Sequence, residues 1–348
     1  MSKPLFSVII PVYNGGDTFK RCLTALHQST FTNWEVIVVD DGSTDDSVAL
    51  ARSFGAKLLA TVGQRGPATA RNMGARLAKG RYLFFIDADC EVYPNTLARI
   101  VQIFKADPQL DALFGSYDDS PTAPNFVAQY KNLFHHYVHQ HGQQEAATFW
   151  TGCGAIKRAR FLELGGFDTL RYRRPAIEDI ELGYRLRQAG GRIRLAKRVQ
   201  VKHLKAWSLR TLLKSDIFDR GIPWTRLILR DRAFHSDLNL QTHNRISVVA
   251  IYGLLLSLLV GLLQPFALVL AVGLALLLLW LNHDLYRFFY QKRGLKFTLG
   301  VIPMHWLYYL YNAISFGVGL LLHWHEQLQA ESLPAPESLG DGVETDGA

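Results

Sequence analysis

The sequence predicts an α/β fold with a mostly parallel central sheet, followed by apolar helices in its C-terminal third. Three observations carry this. Apolar, strand-like runs alternate with helical patterns through the first part of the chain. Those runs are continuous rather than alternating, as in strands buried on both faces. Hydrophobic residues make up 49% of the 348-residue chain, and their excess lies beyond residue 245, in stretches almost free of charge.

The first strand is expected at Phe6–Tyr13, with a helix over Gly16–Ser29. A second strand, Glu35–Asp41, runs into the acidic stretch DDGSTDD. A helix over Asp45–Phe54, a strand at Ala56–Thr61 and a helix over Pro67–Lys79 follow. The strand Tyr82–Asp89 then ends in Asp-Ala-Asp. In sheets of this order ligands bind at the carboxyl ends of the strands. Asp40–Asp41 and Asp87–Asp89 both fall there, so one crevice is expected to hold them. Later come a helix at Asn125–His141, a strand at Phe149–Ile156 and the turn GGFD (165–168). The helix EDIELGYRLRQAG (178–190), closed by Gly190 and Gly191, precedes a strand over 193–204.

The domain expected from these elements spans residues 1–240 and includes a basic, aromatic segment, 207–235. A membrane region, 246–322, is expected to cross three times, at 246–263, 266–281 and 299–322. Basic residues between the second and third crossings place that loop, and the N-terminal domain, on the cytosolic side. The start, MSKPLFSVII, shows no signal-peptide pattern, which agrees. The acidic stretch 326–348 reads as a disordered tail. Cys22, Cys90 and Cys153 form no CxxC or disulfide framework, which suits a reducing compartment. The net charge is +8, with much of the positive charge between Arg171 and Arg245. Beside apolar spans, such a collar favours anionic lipid head groups or a phosphorylated ligand. Nucleic acid is the weaker reading, because the spans already account for its position.

Acidic clusters are often only solvated loop charge. Here the carboxylates sit at strand ends, and Asp87 and Asp89 recur with DxD spacing after FFI. Such a pair can hold a hard divalent cation, Mn2+ or Mg2+, which can neutralise a diphosphate. SVIIPVYNGG (7–16), VVDDGSTD (38–45), ARNMG (70–74) and FIDADC (85–90) resemble the nucleotide-sugar half of inverting family 2 glycosyltransferases. GGFD and EDIELGYRLRQAG resemble their acceptor half. The resemblance covers about residues 5–205, in the family's order and spacing.

It implies a GT-A-type αβα sandwich, a divalent metal and a nucleotide-diphosphate sugar donor, with a UDP-sugar favoured. It implies that Pro11 and Tyr13 line the donor nucleotide, with Tyr13 on the base. Asp41 would bond the uracil or ribose, and Arg71 would reach the base or diphosphate. Asp87 would lie near ribose and metal, Asp89 would ligate the metal directly, and His203 is a further metal or phosphate candidate. Asp45 and Asp46 read as caps of the helix that Ser43 or Thr44 starts.

An inverting transfer needs a carboxylate to take the acceptor's proton. Glu178, Asp179 and Glu181 all lie in one helix's first turn, where carboxylates are stabilised in any case. The family's ED motif puts the base on Asp179, with Glu178 beside it on the acceptor side. Trp150, Thr151 and Gly152 fall where the family forms its acceptor loop, and Trp150 reads equally well as a sugar platform or as core. His135, His136, His139 and His141 read as a polar helix face, since no acidic motif accompanies them. RGIPWTR (220–226) faintly echoes the arginine–tryptophan motif of processive synthases, without its glutamine. The expected function is transfer of a sugar, at the cytosolic membrane face, to a lipid-linked or cell-envelope glycan acceptor. A processive polysaccharide synthase subunit and a catalytically silent membrane scaffold are the alternatives. No GxGTR-like loop supports a nucleotidyltransferase.

Overall fold

The structure, a computed structural model, describes residues 3–231 and 241–332. Its centre is an eight-stranded sheet in the order β3-β2-β1-β4-β7-β6-β8-β5. The strands are β1 (Phe6–Val12), β2 (Trp34–Asp40), β3 (Lys57–Ala60), β4 (Tyr82–Ile86), β5 (Cys90–Val92), β6 (Ala112–Tyr117), β7 (Cys153–Lys157) and β8 (Ile193–His203). The first four helices are α1 (Gly16–His27), α2 (Ser47–Ser53), α3 (Pro67–Leu77) and α4 (Thr96–Ala106). They are followed by α5 (Phe126–His141), α6 (Arg158–Glu163) and α7 (Glu178–Gln188).

Alternation along β1 divides the core in two. Phe6, Val8, Ile10 and Val12 face α1, α2 and α4, whereas Ile9 faces α3, α6 and α7. The result is an αβα sandwich. The sheet is mixed rather than mostly parallel. Strands β3, β2, β1 and β4 run parallel, but β7 is antiparallel to both β4 and β6. A continuous apolar run announces a strand and says nothing of its direction, so the sequence could not show this. Strand β4 also stops at Ile86, earlier than expected, and Cys90 N donates to Asp87 O across a turn.

Helix α7 ends as the sequence predicts. Gly190 has φ 74° and Gly191 N bonds back to Leu186 O at 2.8 Å, a Schellman-type stop. Helix α2 starts at Ser47, later than Ser43 or Thr44 would have it. Asp45 nevertheless serves that end, accepting from Ser47 N and, across the crevice, from Gly16 N.

Beyond the sheet, α8 (Leu209–Lys214), a π-helical turn (Ser215–Gly221) and α9 (Ile222–Asp231) follow one another without a break. Then come α10 (Thr242–Gly261), α11 (Ala267–Leu281) and α12 (His283–Ser332), the last broken at Gly294. The three expected crossings reduce to one or two. Among the described residues only α10 is long and apolar enough alone, and α11 with α12 forms a pair bent by 63° that counts at most as a second span. The reason is local: α11 has only 15 residues before the turn at Asn282. Residues 326–332, expected to open a disordered tail, continue α12, and 333–348 lie outside the described residues. These helices are docked rather than hanging free. Their core joins α5, where Phe134 meets Tyr308 edge-on at 5.1 Å and Tyr130 Oη contacts His305 Nδ1 at 3.0 Å.

Candidate active site

The carboxyl ends of β1, β2 and β4 open on one side of the sheet, and the acidic residues gather there as the sequence implied. Asp41 is 4% exposed. Its Oδ1 accepts from Thr61 Oγ1 (2.9 Å) and Arg65 N (2.8 Å), and its Oδ2 from Gly66 N (2.8 Å). It therefore builds the floor of the crevice by holding the 61–66 loop. Gly66 is required there: its φ is 87°, and a Cβ would stand 2.5 Å from Arg173 O. Pro11 lies near the end of β1, past the last residue paired with β4, so its missing N–H leaves no gap in that ladder. Tyr13 is 48% exposed and offers a ring face at the rim.

Arg71 stands differently from expectation. Its Nη2 donates to Asp87 Oδ1 at 2.7 Å and its Nη1 to Glu178 Oε1 at 2.8 Å. The guanidinium is buried, and both of its ends are occupied by carboxylates rather than turned to a base or diphosphate. Desolvation opposes its charge, but Asp87, Glu178 and Asp179 together hold its pKa above the ordinary value. Asp87 and Asp89 therefore engage different partners, Arg71 and His203.

Asp89 faces His203 instead, with Oδ2 3.4 Å from Nε2. Burial works against its ionisation, yet His203 and Lys205 keep its pKa low. His203 Nδ1 is 2.7 Å from Asn132 Oδ1, an atom that can only accept. The proton therefore sits on Nδ1, and in the neutral ring Nε2 presents a lone pair beside a carboxylate. Such a pair, with its outer nitrogen fixed by an amide, suits a divalent cation. Cys90 Sγ is close to both. Burial, Asp89 and Asp87 raise its thiol pKa well above the ordinary value, and the side chain packs in the core beneath them. Among the described residues no other cluster of metal-ligating side chains forms. The four histidines of α5 do not make one, nor a simple polar face. His136 Nδ1 bonds Tyr117 O, His135 stacks on Tyr117 and His139 packs against Trp150.

Asp179 begins α7 beside Glu178. Its Oδ2 accepts from Thr151 N (3.0 Å) and Thr151 Oγ1 (3.1 Å). Burial nevertheless lifts its pKa above the ordinary carboxylate value, only partly offset by Thr151, Arg71 and Arg220. A carboxylate shifted in that direction is better suited to take up a proton. Glu178 is consumed structurally, with Oε1 on Arg71 and Oε2 accepting from Ala176 N. Gly152 lets the Trp150 ring lie over it: a Cβ there would be 2.3 Å from the indole. Trp150 is half-buried, edge-on to Tyr117 at 4.7 Å, and its ring lines a cavity that also reaches Asp179. The GGFD turn is clamped by Asn72, which donates to Phe167 O and accepts from Phe167 N. ARNMG thus ties the two halves of the site twice, through Arg71 and through Asn72.

The cavity itself escaped the sequence reading. It holds about 500 Å3 between the sandwich and helices α9, α10 and α12. Lys131, Asp216, Arg220 and Arg245 line it; the basic stretch Arg171–Arg245 and the weak signal of RGIPWTR pointed to the two arginines alone.

Sandwich, crevice and DxD turn together define a GT-A-like α/β protein. Residues 7–165 match the model of glycosyl transferase family 2. A stretch of 93 residues is 44% identical to the uncharacterized glycosyltransferase YibD of Escherichia coli K12, covering 26% of this chain and 27% of that protein. The chain thus spans about a quarter of that relative's length. The mannosyltransferase PcManGT of Pyrobaculum calidifontis, solved with GDP-Man and Mn2+, shares the fold. Its TM-score is 0.56 at 20% identity, over 91% of this chain and 88% of that one. S. aureus TarS 1–349, solved with UDP-GlcNAc, gives 0.50 at 19% identity, over 64% of this chain and 65% of that one.

Proposed function

We propose that the protein is a membrane-associated, metal-dependent, inverting glycosyltransferase. It moves a sugar from a nucleotide-diphosphate donor to a lipid-linked or cell-envelope glycan acceptor at the cytosolic membrane face. The observation that carries this reading is the position of Asp179. It stands between the acidic crevice and a large cavity walled by the C-terminal helices, with its pKa raised by burial.

In this reading the donor nucleotide lies over the β1–β2 ends, with its base against Tyr13 and the loop that Asp41 organises. A UDP-sugar is favoured. GDP is the next nucleotide to try, since PcManGT carries GDP-Man. A divalent cation, Mn2+ or Mg2+, held by Asp89 and His203 would neutralise the departing diphosphate. Asp87, tied to Arg71, positions rather than ligates. The acceptor hydroxyl attacks the anomeric carbon from the face opposite the diphosphate. Its proton passes to Asp179, and the electrons of the breaking C–O bond leave on the β-phosphate oxygen. Trp150 forms the wall against which the acceptor rests.

Membrane association is supported by α10 and by the exposed apolar side chains Leu256, Leu259, Leu262, Leu263 and Phe266 around its end. A processive reading draws on Arg220 and Trp224 of RGIPWTR, which both line the cavity. Product length separates it from single transfer.

The experiment is UDP binding by the full-length protein with and without Mn2+, beside Asp89→Ala, followed by a UDP-sugar screen on extracted lipid acceptors. Metal-dependent binding lost in the variant is expected. A folded protein that binds neither UDP nor GDP in either condition would overturn the proposal.

A further inference from the structure

The cavity beneath Asp179 carries a charge that its own side chains do not balance. Most of its wall is apolar or aromatic, including Phe149, Trp150, Trp224, Ile228, Tyr308 and Phe316. Five charged side chains also reach it: Lys131, Arg220, Arg245, Asp179 and Asp216. Two of these cancel. Lys131 Nζ donates to both Asp216 oxygens, at 2.6 and 2.7 Å, and both residues are buried. Tyr311 Oη adds a third donor to Asp216 at 2.7 Å. Asp179 accepts from Thr151, and Arg245 lies exposed at the start of α10.

Arg220 is different. It is half-buried, and its Nη1 donates to His135 Nε2 at 3.2 Å. It forms no ion pair with any described residue. His135 offers no negative charge: burial, Lys131 and Arg220 hold its pKa well below the ordinary value, so the ring is neutral and accepts. Asp179 feels its charge across the cavity, but a guanidinium desolvated on one side with no carboxylate of the described residues at ion-pair distance is costly unless an anion completes it. The local fold places it there deliberately. The π-helical turn Ser215–Gly221 brings both Asp216 and Arg220 to the same cavity, and such turns recur at functional sites.

We infer that Arg220 seats an anionic group of the acceptor, and that the acceptor is a phosphate-bearing lipid. This rests on reading the cavity as the acceptor site. The phosphate or diphosphate bonds to the guanidinium, for which a planar fork is the best partner. The chain lies along Ile228 of α9, Val248 of α10 and Phe316 of α12. The reacting hydroxyl turns to Asp179. A neutral glycan would leave Arg220 unpaired and the apolar wall wet. A small free anion would leave the wall without an occupant.

The test uses the full-length protein in neutral phosphatidylcholine nanodiscs, with EDTA to keep metal out of the donor crevice. Farnesyl monophosphate is the probe, with farnesol and inorganic phosphate as controls, and tryptophan fluorescence is the readout because Trp150 and Trp224 line the cavity. Farnesyl monophosphate should bind the wild type at least about tenfold more tightly than either control, the scale of one hydrogen bond to a charged group. Arg220→Ala should lose that margin, and Arg220→Lys should keep part of it. Farnesol binding as tightly as the phosphate to the wild type would overturn the inference without any variant. So would equal affinity in wild type and Arg220→Ala, at matched thermal midpoints. Mn2+-dependent UDP binding is measured in parallel. Lipid-phosphate binding with neither UDP nor GDP bound would uphold the anion seat and sink the donor reading. UDP binding without lipid-phosphate binding would sink the anion seat alone.

Discussion

Arg71→Met tests whether one guanidinium holds the two halves of the site together. One end of Arg71 grips Asp87 at the donor crevice and the other grips Glu178 at the start of α7. The two carboxylates respond differently when it is removed. The Asp87 side chain is 32% exposed and rehydrates, whereas that of Glu178 is 5% exposed and stays buried. Removing one partner of a buried pair costs about 3–5 kcal/mol. With only one of the two carboxylates stranded, the lower end, about 3 kcal/mol, applies. At about 2–4 °C per kcal/mol for a domain of this size, the midpoint should fall by about 6–12 °C.

The loss depends on pH with a definite sign. Burial holds the Glu178 pKa above its ordinary value even with Arg71 opposing the shift, and without Arg71 it goes higher. A carboxyl whose pKa is raised by folding stabilises the folded state fully below its unfolded pKa. That contribution is lost as pH rises through the folded pKa. The deficit of Arg71→Met should therefore be small near pH 5 and large near pH 8. Thermal unfolding of the full chain in detergent, followed at both pH values, reads this directly. Adding Glu178→Gln should restore part of the loss at pH 8, because an amide needs no counter-charge. The same deficit at both pH values, or no recovery in the double variant, would refute the reasoning.

Asp179→Asn should lower kcat by about 10²- to 10⁴-fold while leaving UDP binding intact; full turnover would remove it as base. In the wild type, burial of Asp179 should place the acid limb of kcat/KM above the ordinary carboxylate range, with activity rising with pH through it. Asp89→Ala should abolish Mn2+-dependent UDP binding, and calorimetry showing unchanged metal dependence would move the cation elsewhere. Gly183→Ala should destabilise the protein by about 1–3 kcal/mol, since its Cβ would stand 2.4 Å from Phe149 N and 2.6 Å from Thr148 C. An unshifted melting midpoint would show that α7 can back away.

The donor half was legible because its chemistry is local. A strand, its acidic tip and the following helix are contiguous, so βα periodicity placed β1, β2, β3, α3 and β4 within a few residues. The acceptor half is assembled from distant segments. β6 carries no turn signal strong enough to mark it, and the direction of β7 depends on pairing that no local pattern encodes. The same limit explains the site residues. Asp41, Asp89 and Asp179 could be named from motifs, but the partners of Arg71 lie 16 and 107 positions away and had to be seen. His203 was a weak candidate because a histidine at a strand end is ordinary. Only Asn132, on α5, fixes its tautomer and makes it a plausible ligand.

The C-terminal helices were read as an anchor, and their contacts give them a second task. Lys131 on α5, Asp216 on the π-helical turn and Tyr311 on α12 meet in one buried cluster. Each would be left with an unsatisfied polar group if the others moved away, so the three elements are held in one arrangement. Arg220 leaves the same turn one helical turn later, toward the cavity that Asp179 shares. The distance from Asp179 to the helix wall is therefore set by a polar lock inside the molecule rather than by how the helices sit in a bilayer. Were anchoring their whole role, an apolar contact between α5 and α12 would have served at less desolvation cost. The buried charges make sense if the position of Arg220 relative to Asp179 matters, as the proposed acceptor, touching both, requires.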